Sequence, residues 1–243
     1  MGEGLQALDI AACSFLVVAW PAYTWFADYS RWSEKGLPNA VNQFRREWMV
    51  QMLGRELRMV DLLIQGNLVR GIAFFASTAI LLVGGLLAVL GASEQAAVAL
   101  VRLPFAVESS YAVVELKIVA LVLIFVYAFV KFVWAFRLAN YSSILYGAAP
   151  QLSVGSPLSE EYARHIGRIS SITGRHFNQG LRANFFAIAV LGWFVHPALF
   201  MVATLWVVGL LYRREFRSNS LIALQSLQAA VQASEAQEKS ADQ

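Results

Sequence analysis

The sequence predicts an all-α, polytopic membrane protein with four transmembrane helices and amphipathic helices in its loops. Three observations predict it. Hydrophobic residues make up 58% of the 243 residues and charged residues only 14%, against about 25% charged in ordinary soluble domains. The mean hydropathy is +0.55. The charges avoid four long stretches and crowd into the gaps between them, whereas a soluble fold spreads its charges over a surface.

The four stretches are Leu8–Phe26, Gly71–Gly91, Val113–Val133 and Phe185–Leu211. Each is near or above the about 20 helical residues that cross a hydrocarbon core. Backbone groups in lipid must be satisfied within the segment, so these are helices; a barrel would show shorter alternating segments. The first stretch lacks a basic n-region, is long for a signal peptide, and ends in Pro21, Tyr23, Trp25 and Phe26 rather than a small-residue cleavage site. It reads as a retained anchor with interfacial aromatics. Asp9, near its start, reads as interfacial. Residues 1–220 form one helical membrane domain, and residues 221–243 a C-terminal helix and disordered tail.

The net charge of +3 and the pI near 9.1 are basic. In this composition they reflect Lys/Arg-rich loops on the cytoplasmic side, not a nucleic-acid partner. With four spans, thirteen basic residues share one side: Arg31, Lys35, Arg45, Arg46, Arg55, Arg58, Arg70, Lys131, Arg137, Arg164, Arg168, Arg175 and Arg182. Six fall on the other: Arg102, Lys117, Arg213, Arg214, Arg217 and Lys239. The richer side is the cytoplasm, which puts both termini outside; the cluster Arg213, Arg214, Arg217 argues against this. The one cysteine, Cys13, lies in an apolar run and excludes an internal disulfide or a cysteine metal site.

The loops have structure of their own. In Ala40–Gln65, residues Glu47, Gln51, Gly54, Arg58, Asp61 and Gln65 recur at helical spacing as one polar face, opposite Trp48, Met49, Met52 and Leu53. Such a helix lies in the membrane interface or packs on partner helices. The second loop, Tyr141–Ala183, opens with the turn Gly147-Ala148-Ala149-Pro150. Ser156 and Pro157 then read as N-cap and first helical position, leading an apolar stripe (Leu158, Tyr162, Ile166, Ile169, Ile172) that runs toward the fourth span. After that span, Leu221, Leu224, Leu227 and Val231 form a short stripe suited to joining subunits or folding back.

Four features are candidates for chemistry. Lys117, Tyr127 and Lys131 lie near one face of the third span, with Arg137 past its end. Intramembrane charge is costly and tends to be functional, although lysines near span ends snorkel to headgroups. An anion path or lipid-phosphate site along this face, and pairing with Glu115, Asp9 or Asp61, are the alternatives to snorkelling. The segment 175–182 places Arg175, Asn178 and Arg182 at the entry to the fourth span. It serves as an anion- or headgroup-binding site or as a topological anchor. His196 sits mid-span beside Pro197, where it caps carbonyls freed by a kink, faces a polar cavity, or ligates a haem. His165 and His176 are eleven residues apart, about 16 Å along one helix and too far to share a metal. The small-residue face Ala73, Ser77, Gly84, Ala88 suits close helix packing, within or between subunits. No phosphate-binding glycine loop, nucleophile elbow, paired-carboxylate or metal motif is present, so neither a metal nor a cofactor is expected.

Several stretches together resemble a known family: Arg46-Glu47-Trp48-Met49, Phe74-Phe75-Ala76-Ser77-Thr78, Phe125-Val126-Tyr127-Ala128-Phe129 leading to Lys131, Phe132, Trp134 and Arg137, Gly147-Ala148-Ala149-Pro150, Gly180-Leu181-Arg182, and Leu211-Tyr212-Arg213-Arg214-Glu215-Phe216. The chain resembles domain-of-unknown-function family 599, membrane proteins of bacteria and plants, over nearly its whole length. The resemblance implies a helical protein, with a bacterial inner membrane as its place, and no particular reaction. The leading expectation is a small channel- or transporter-like protein working in the lipid bilayer as a homo-oligomer. A scaffold subunit of a membrane complex and a membrane-bound redox or lipid-acting enzyme are the alternatives.

Overall fold

The computed structural model describes residues 7–95, 98 and 110–241. Among the described residues, seven α-helices carry the architecture: α1 (Ala7–Tyr29), α2 (Leu37–Leu53), α3 (Met59–Gly91), α4 (Tyr111–Ala148), α5 (Pro157–Leu191), α6 (Pro197–Phe216) and α7 (Asn219–Ala241). Short 3-10 turns stand at Ser33–Lys35 and Gly192–Phe194, and no strand occurs among the described residues. Among the described residues, four helical segments are long and apolar enough to cross a membrane: α1, α3, α4 and Pro197–Ser234. The expected all-α class with four such helices is what is found.

The expected fourth span, Phe185–Leu211, is two helices rather than one. Residues through Leu191 complete α5, the chain turns at Gly192–Phe194, and α6 begins at Pro197. Pro197 has no N–H to continue a helix, and His196 is extended, with φ −158 and ψ 139. Its Nδ1 accepts a hydrogen bond from the Ala198 N–H at 3.0 Å, capping α6. His196 is therefore a helix cap at one end of the bundle, not a mid-span group. Helix α6 returns antiparallel to α5, since Gly192 abuts Phe200 at one end and Arg182 bonds Glu215 toward the other.

This hairpin changes the topology. Asp9, at the start of α1, accepts a hydrogen bond from Trp193 in the turn, while Asp28, at the end of α1, meets Arg182 and lies beside Glu215's partner. The start of α1 and the end of α6 thus lie at opposite ends of the bundle, not on one side. Helix α5 is too polar over its first half to qualify as a span, yet its second half runs the length of the bundle beside the others. Arg213, Arg214 and Arg217 consequently join the thirteen basic residues at one end, called the basic end below; Arg102 lies outside the described residues.

Other expectations are also adjusted. The amphipathic helix ends at Leu53 rather than Gln65. A Cβ on Gly54 would stand 2.5 Å from Val154 Cγ2, so the chain from the second loop presses on this break. Arg58 donates to the carbonyls of Leu53 (3.3 Å), Tyr146 (3.3 Å), Pro150 (2.8 Å) and Ala149. One guanidinium thereby serves the carbonyl end of α4, where a cation is favoured. Asp61 belongs to α3, is fully buried, and accepts from Trp48 Nε1 at 2.6 Å and Arg55 at 2.7 Å. Ser156 caps α5 as its spacing predicts, its Oγ accepting from the Ser159 N–H. The tail expected to be disordered is helical to Ala241, in keeping with its Ala, Gln and Glu, which are strong helix formers.

Helix α4 is the centre of the fold, with α3 packed on one flank and α5 on the other. The core joins Ala12 and Leu16 of α1, Ala76 and Ala79 of α3, Ala128 and Phe132 of α4, Phe186 and Val190 of α5, and Phe200 of α6. On α3 the packed face is Ile72, Ala76, Ala79 and Val83. The small-residue face is not used within the chain: Ser77, Gly84 and Ala88 are exposed, and nothing lies within 4 Å of a Cβ placed on Gly84. Gly180 does serve close packing, since a Cβ there would stand 2.5 Å from Phe132 Cε1.

Phe132 is fully buried, so its ring has no room to retreat. Gly180→Ala is expected to destabilise the purified protein by about 1–3 kcal/mol through overpacking. Gly66→Ala, in a helix with nothing within 4 Å of the new Cβ, is expected to stabilise it by about 1 kcal/mol. Thermal unfolding in detergent reads both, and the opposite signs are the test.

Candidate functional site

Arg182 stands at the junction of α1, α5 and α6, with only 2% of its side chain exposed. Its Nη1 donates to Asp28 Oδ1 at 2.7 Å, and its Nε and Nη2 donate to Glu215 Oε1 and Oε2 at 2.9 and 3.0 Å. Gln179 Nε2 donates to the other Asp28 oxygen at 2.7 Å, and the Tyr23 hydroxyl to Glu215 at 3.3 Å. The guanidinium also lies 5.8 Å from the Tyr23 ring centroid. Two carboxylates against one cation leave the cluster formally negative. Arg182 is thus a buried structural cation, and the expectation that it offers charge to an anion is corrected: its donors face Asp28 and Glu215.

A second polar cluster closes the other end of the bundle. Trp193 Nε1 donates to Asp9 Oδ1 at 2.7 Å, and the Trp193 ring stacks on Phe200. Lys117 Nζ lies 5.7 Å from the Trp193 ring centroid. Lys117 is 3% exposed, so it does not snorkel outward; it belongs to the interior beside Asp9. Tyr127 packs edge-on against Trp20 at 5.0 Å and carries Lys131 Nζ 5.2 Å from its ring. Lys131 is half-buried, whereas Arg137 is exposed, donates to the Tyr141 hydroxyl at 2.7 Å and lies over Trp134. The four residues of the basic face therefore form no common path. Among the described residues, no group of three or more His, Cys, Asp and Glu side chains could hold a metal ion.

The group best placed to meet a ligand carries no distinguishing mark in the sequence. Arg45, on α2, reaches Asn42 Oδ1 at 2.8 Å, and among the described residues no carboxylate lies within ion-pair distance of it. A guanidinium carries five N–H donors, so most of its capacity is unspent. Burial pushes its pKa below the usual arginine value, with Tyr146 pulling the other way. Gly174 makes the seat: a Cβ there would stand 2.3 Å from Arg45 Nη1.

Three cavities converge on Arg45. One, of about 160 Å³, reaches past Asn178 to Phe185 and Arg214. A second, of about 110 Å³, holds Asn178 and Arg175 opposite Asp28 and Glu34. The third, of about 230 Å³, is a cleft between α3 and α5 floored by α4, with Arg45 its one charged lining residue. Of the segment 175–182, Asn178 lines the first two and Arg175, which is exposed and lies 5.5 Å from the Tyr29 ring, lines the second. The structure brings Arg175 and Asn178 toward Arg45; Lys131, half-buried over Tyr127, and Arg137, exposed on α4, line none of the three cavities.

The Arg182 cluster is expected to hold the bundle closed at its basic end. Arg182→Met, which orphans two buried carboxylates, should cost about 3–5 kcal/mol. Adding Asp28→Asn and Glu215→Gln should recover much of that loss in the same detergent unfolding assay.

No curated protein and no solved structure matches the chain. A family model described as "Protein of unknown function, DUF599" matches residues 10–220, from the first turn of α1 into the first turn of α7. The segments Gly180-Leu181-Arg182 and Leu211–Phe216, quoted above for the resemblance, are the two that meet in the Arg182–Glu215 contact. With most of its length matched, the chain belongs to this family of proteins of unknown function, DUF599.

Proposed function

We propose that the protein is a membrane-embedded, transporter- or channel-like protein that takes up an anion at Arg45. The observation that carries this reading is Arg45 itself: a cation half-buried at the meeting of three cavities, with one neutral hydrogen-bond partner. A charge withdrawn from water without a counter-charge is costly, and an anion in the adjoining space relieves that cost. Asn178 lines two of the cavities as a neutral donor, carboxylates line both of those, and in the third Arg45 is the one charged lining residue.

The basic end faces the cytoplasm in this reading, because Lys and Arg concentrate there. The start of α1 is then outside and α6 ends inside. Large apolar side chains exposed around the bundle, including Val18, Trp25, Phe74, Leu81, Leu123 and Trp206, suit contact with lipid tails. The outward small-residue face of α3 supports association of copies through close helix approach. A scaffold role is the second reading, supported by Ile222 and Leu227 of α7, which are 62% and 51% exposed.

Protein reconstituted in liposomes is expected to bind or pass small anions. Arg45→Gln is expected to reduce this by about tenfold or more, the loss of a charge-assisted hydrogen bond. Arg217→Gln, at the same end but on none of the three cavities, should leave it unchanged. Wild-type protein that neither binds nor passes any anion overturns the reading, and a foreign partner held in stoichiometric amount after gentle purification favours the scaffold role.

A further inference from the structure

We infer that the cleft between α3 and α5 is a binding site for a phosphate-bearing amphiphile, its phosphate on Arg45 and its apolar part against Leu68, Ile72 and Phe177. This rests on the reading of Arg45 as an anion-binding group and names the class of anion.

The argument begins with how the cleft forms. Helices α3 and α5 both pack on α4 but touch each other chiefly through Phe75 and Phe177, whose ring centroids are 5.5 Å apart. Toward the basic end the two helices leave a space of about 230 Å³ over Ala139 and Ser142 of α4. The α3 wall is open: Asn67, Leu68 and Gly71 line the cleft and are exposed. Nothing lies within 4 Å of a Cβ on Gly71, so this side of the bundle is a lateral mouth.

The lining is graded along the bundle. Its polar members, Arg45, Gln65, Asn67, Ser142, Ser170 and Thr173, lie toward the basic end, and Ile72 and Phe177 stand deeper. Gln65 is already used, donating to the Ala139 carbonyl at 3.0 Å, which leaves Arg45 as the strong donor. Depth is fixed by neighbours on the outer surface. Arg70 of α3 and Arg137 of α4 stand exposed at this level, and Trp134 and Tyr141 are exposed beside Arg137. Basic and aromatic residues together mark the headgroup zone. A small inorganic anion would need only the polar half. A site that is cationic at headgroup depth, apolar just below, and open sideways fits an amphiphile carrying a phosphate, whose oxygens match the planar fork of a guanidinium.

The test uses the purified full-length protein in a neutral detergent. Ligand-dependent shifts in melting temperature are titrated with a short-chain phosphatidic acid, the diacylglycerol with the same chains, and inorganic phosphate. Phosphatidic acid should bind more tightly than either fragment. Arg45→Gln should weaken it by about ten- to a hundredfold, as should Gly174→Ala, whose methyl group displaces the guanidinium. Leu68→Trp, at a half-exposed position filling the apolar wall, should weaken phosphatidic acid and spare inorganic phosphate. If inorganic phosphate binds as tightly as phosphatidic acid through Arg45, the amphiphile is overturned and the anion reading stands. If diacylglycerol binds as well as phosphatidic acid, or no ligand shifts the melting point, the amphiphile is overturned, and the liposome assay with small anions decides the anion reading separately.

Discussion

Everything at the basic end of the bundle is organised around the guanidinium of Arg182. It has three N–H groups spent on two carboxylates from two other helices, and it is nearly inaccessible. A buried ion pair gains little net stability over apolar packing, but breaking one is costly. Its effect is therefore on geometry. Helices α1 and α6 also meet here through Phe26, Tyr212 and Phe216, and the salt-bridged cluster adds a directional constraint on how α1, α5 and α6 sit against one another. Asn178, one turn from Arg182 on α5, and Arg214, next to Glu215 on α6, are placed at the cavities by the same constraint.

The two arginines of this region show how context divides one residue type into two roles. Arg182 is surrounded by more negative charge than it carries, and so has nothing to offer a ligand. Arg45, separated from it by the cavity both of them line, is matched only by an amide oxygen. Gly174 gives its guanidinium room. Neutralisation in one place and its absence in the other make the region polar without making it uniformly attractive to anions. Arg58 shows a third use, occupied by carbonyls at the ends of α2 and α4.

Much of this was legible in the residues, and the remainder was hidden for definable reasons. Long, predominantly apolar runs identify α1, α3 and α4, because hydrophobic length is a local property. Ser156-Pro157 marks the start of α5, because capping is local too. The hairpin at Gly192–Pro197 was missed because apolar residues continue on both sides of it, and a hydropathy window cannot separate a kink from a reversal. That single miss reversed the placement of Arg213, Arg214 and Arg217, whose disagreement with the four-span count was the available clue. Asp28 and Glu215 gave a second signal, being acidic residues at the edges of apolar runs, where such groups are rare unless paired. Arg45 gave none. Next to Arg46 it reads as one more topological charge, and only the packing of α2 on Gly174 sets it apart.

Helix α1 carries two buried carboxylates, and both find their partners far along the chain: Asp9 on Trp193, Asp28 on Arg182. The ribosome delivers α1 first and those partners more than 150 residues later. Until α4 brings Lys117 the segment has no cation for Asp9, Asp28 waits longer for α5, and the α3–α4 pair is already available to assemble. Maturation of the bundle is therefore ordered by sequence distance, with the earliest-made helix among the last to dock. A chain interrupted before the α5–α6 hairpin would leave α1 loosely held, however hydrophobic it is.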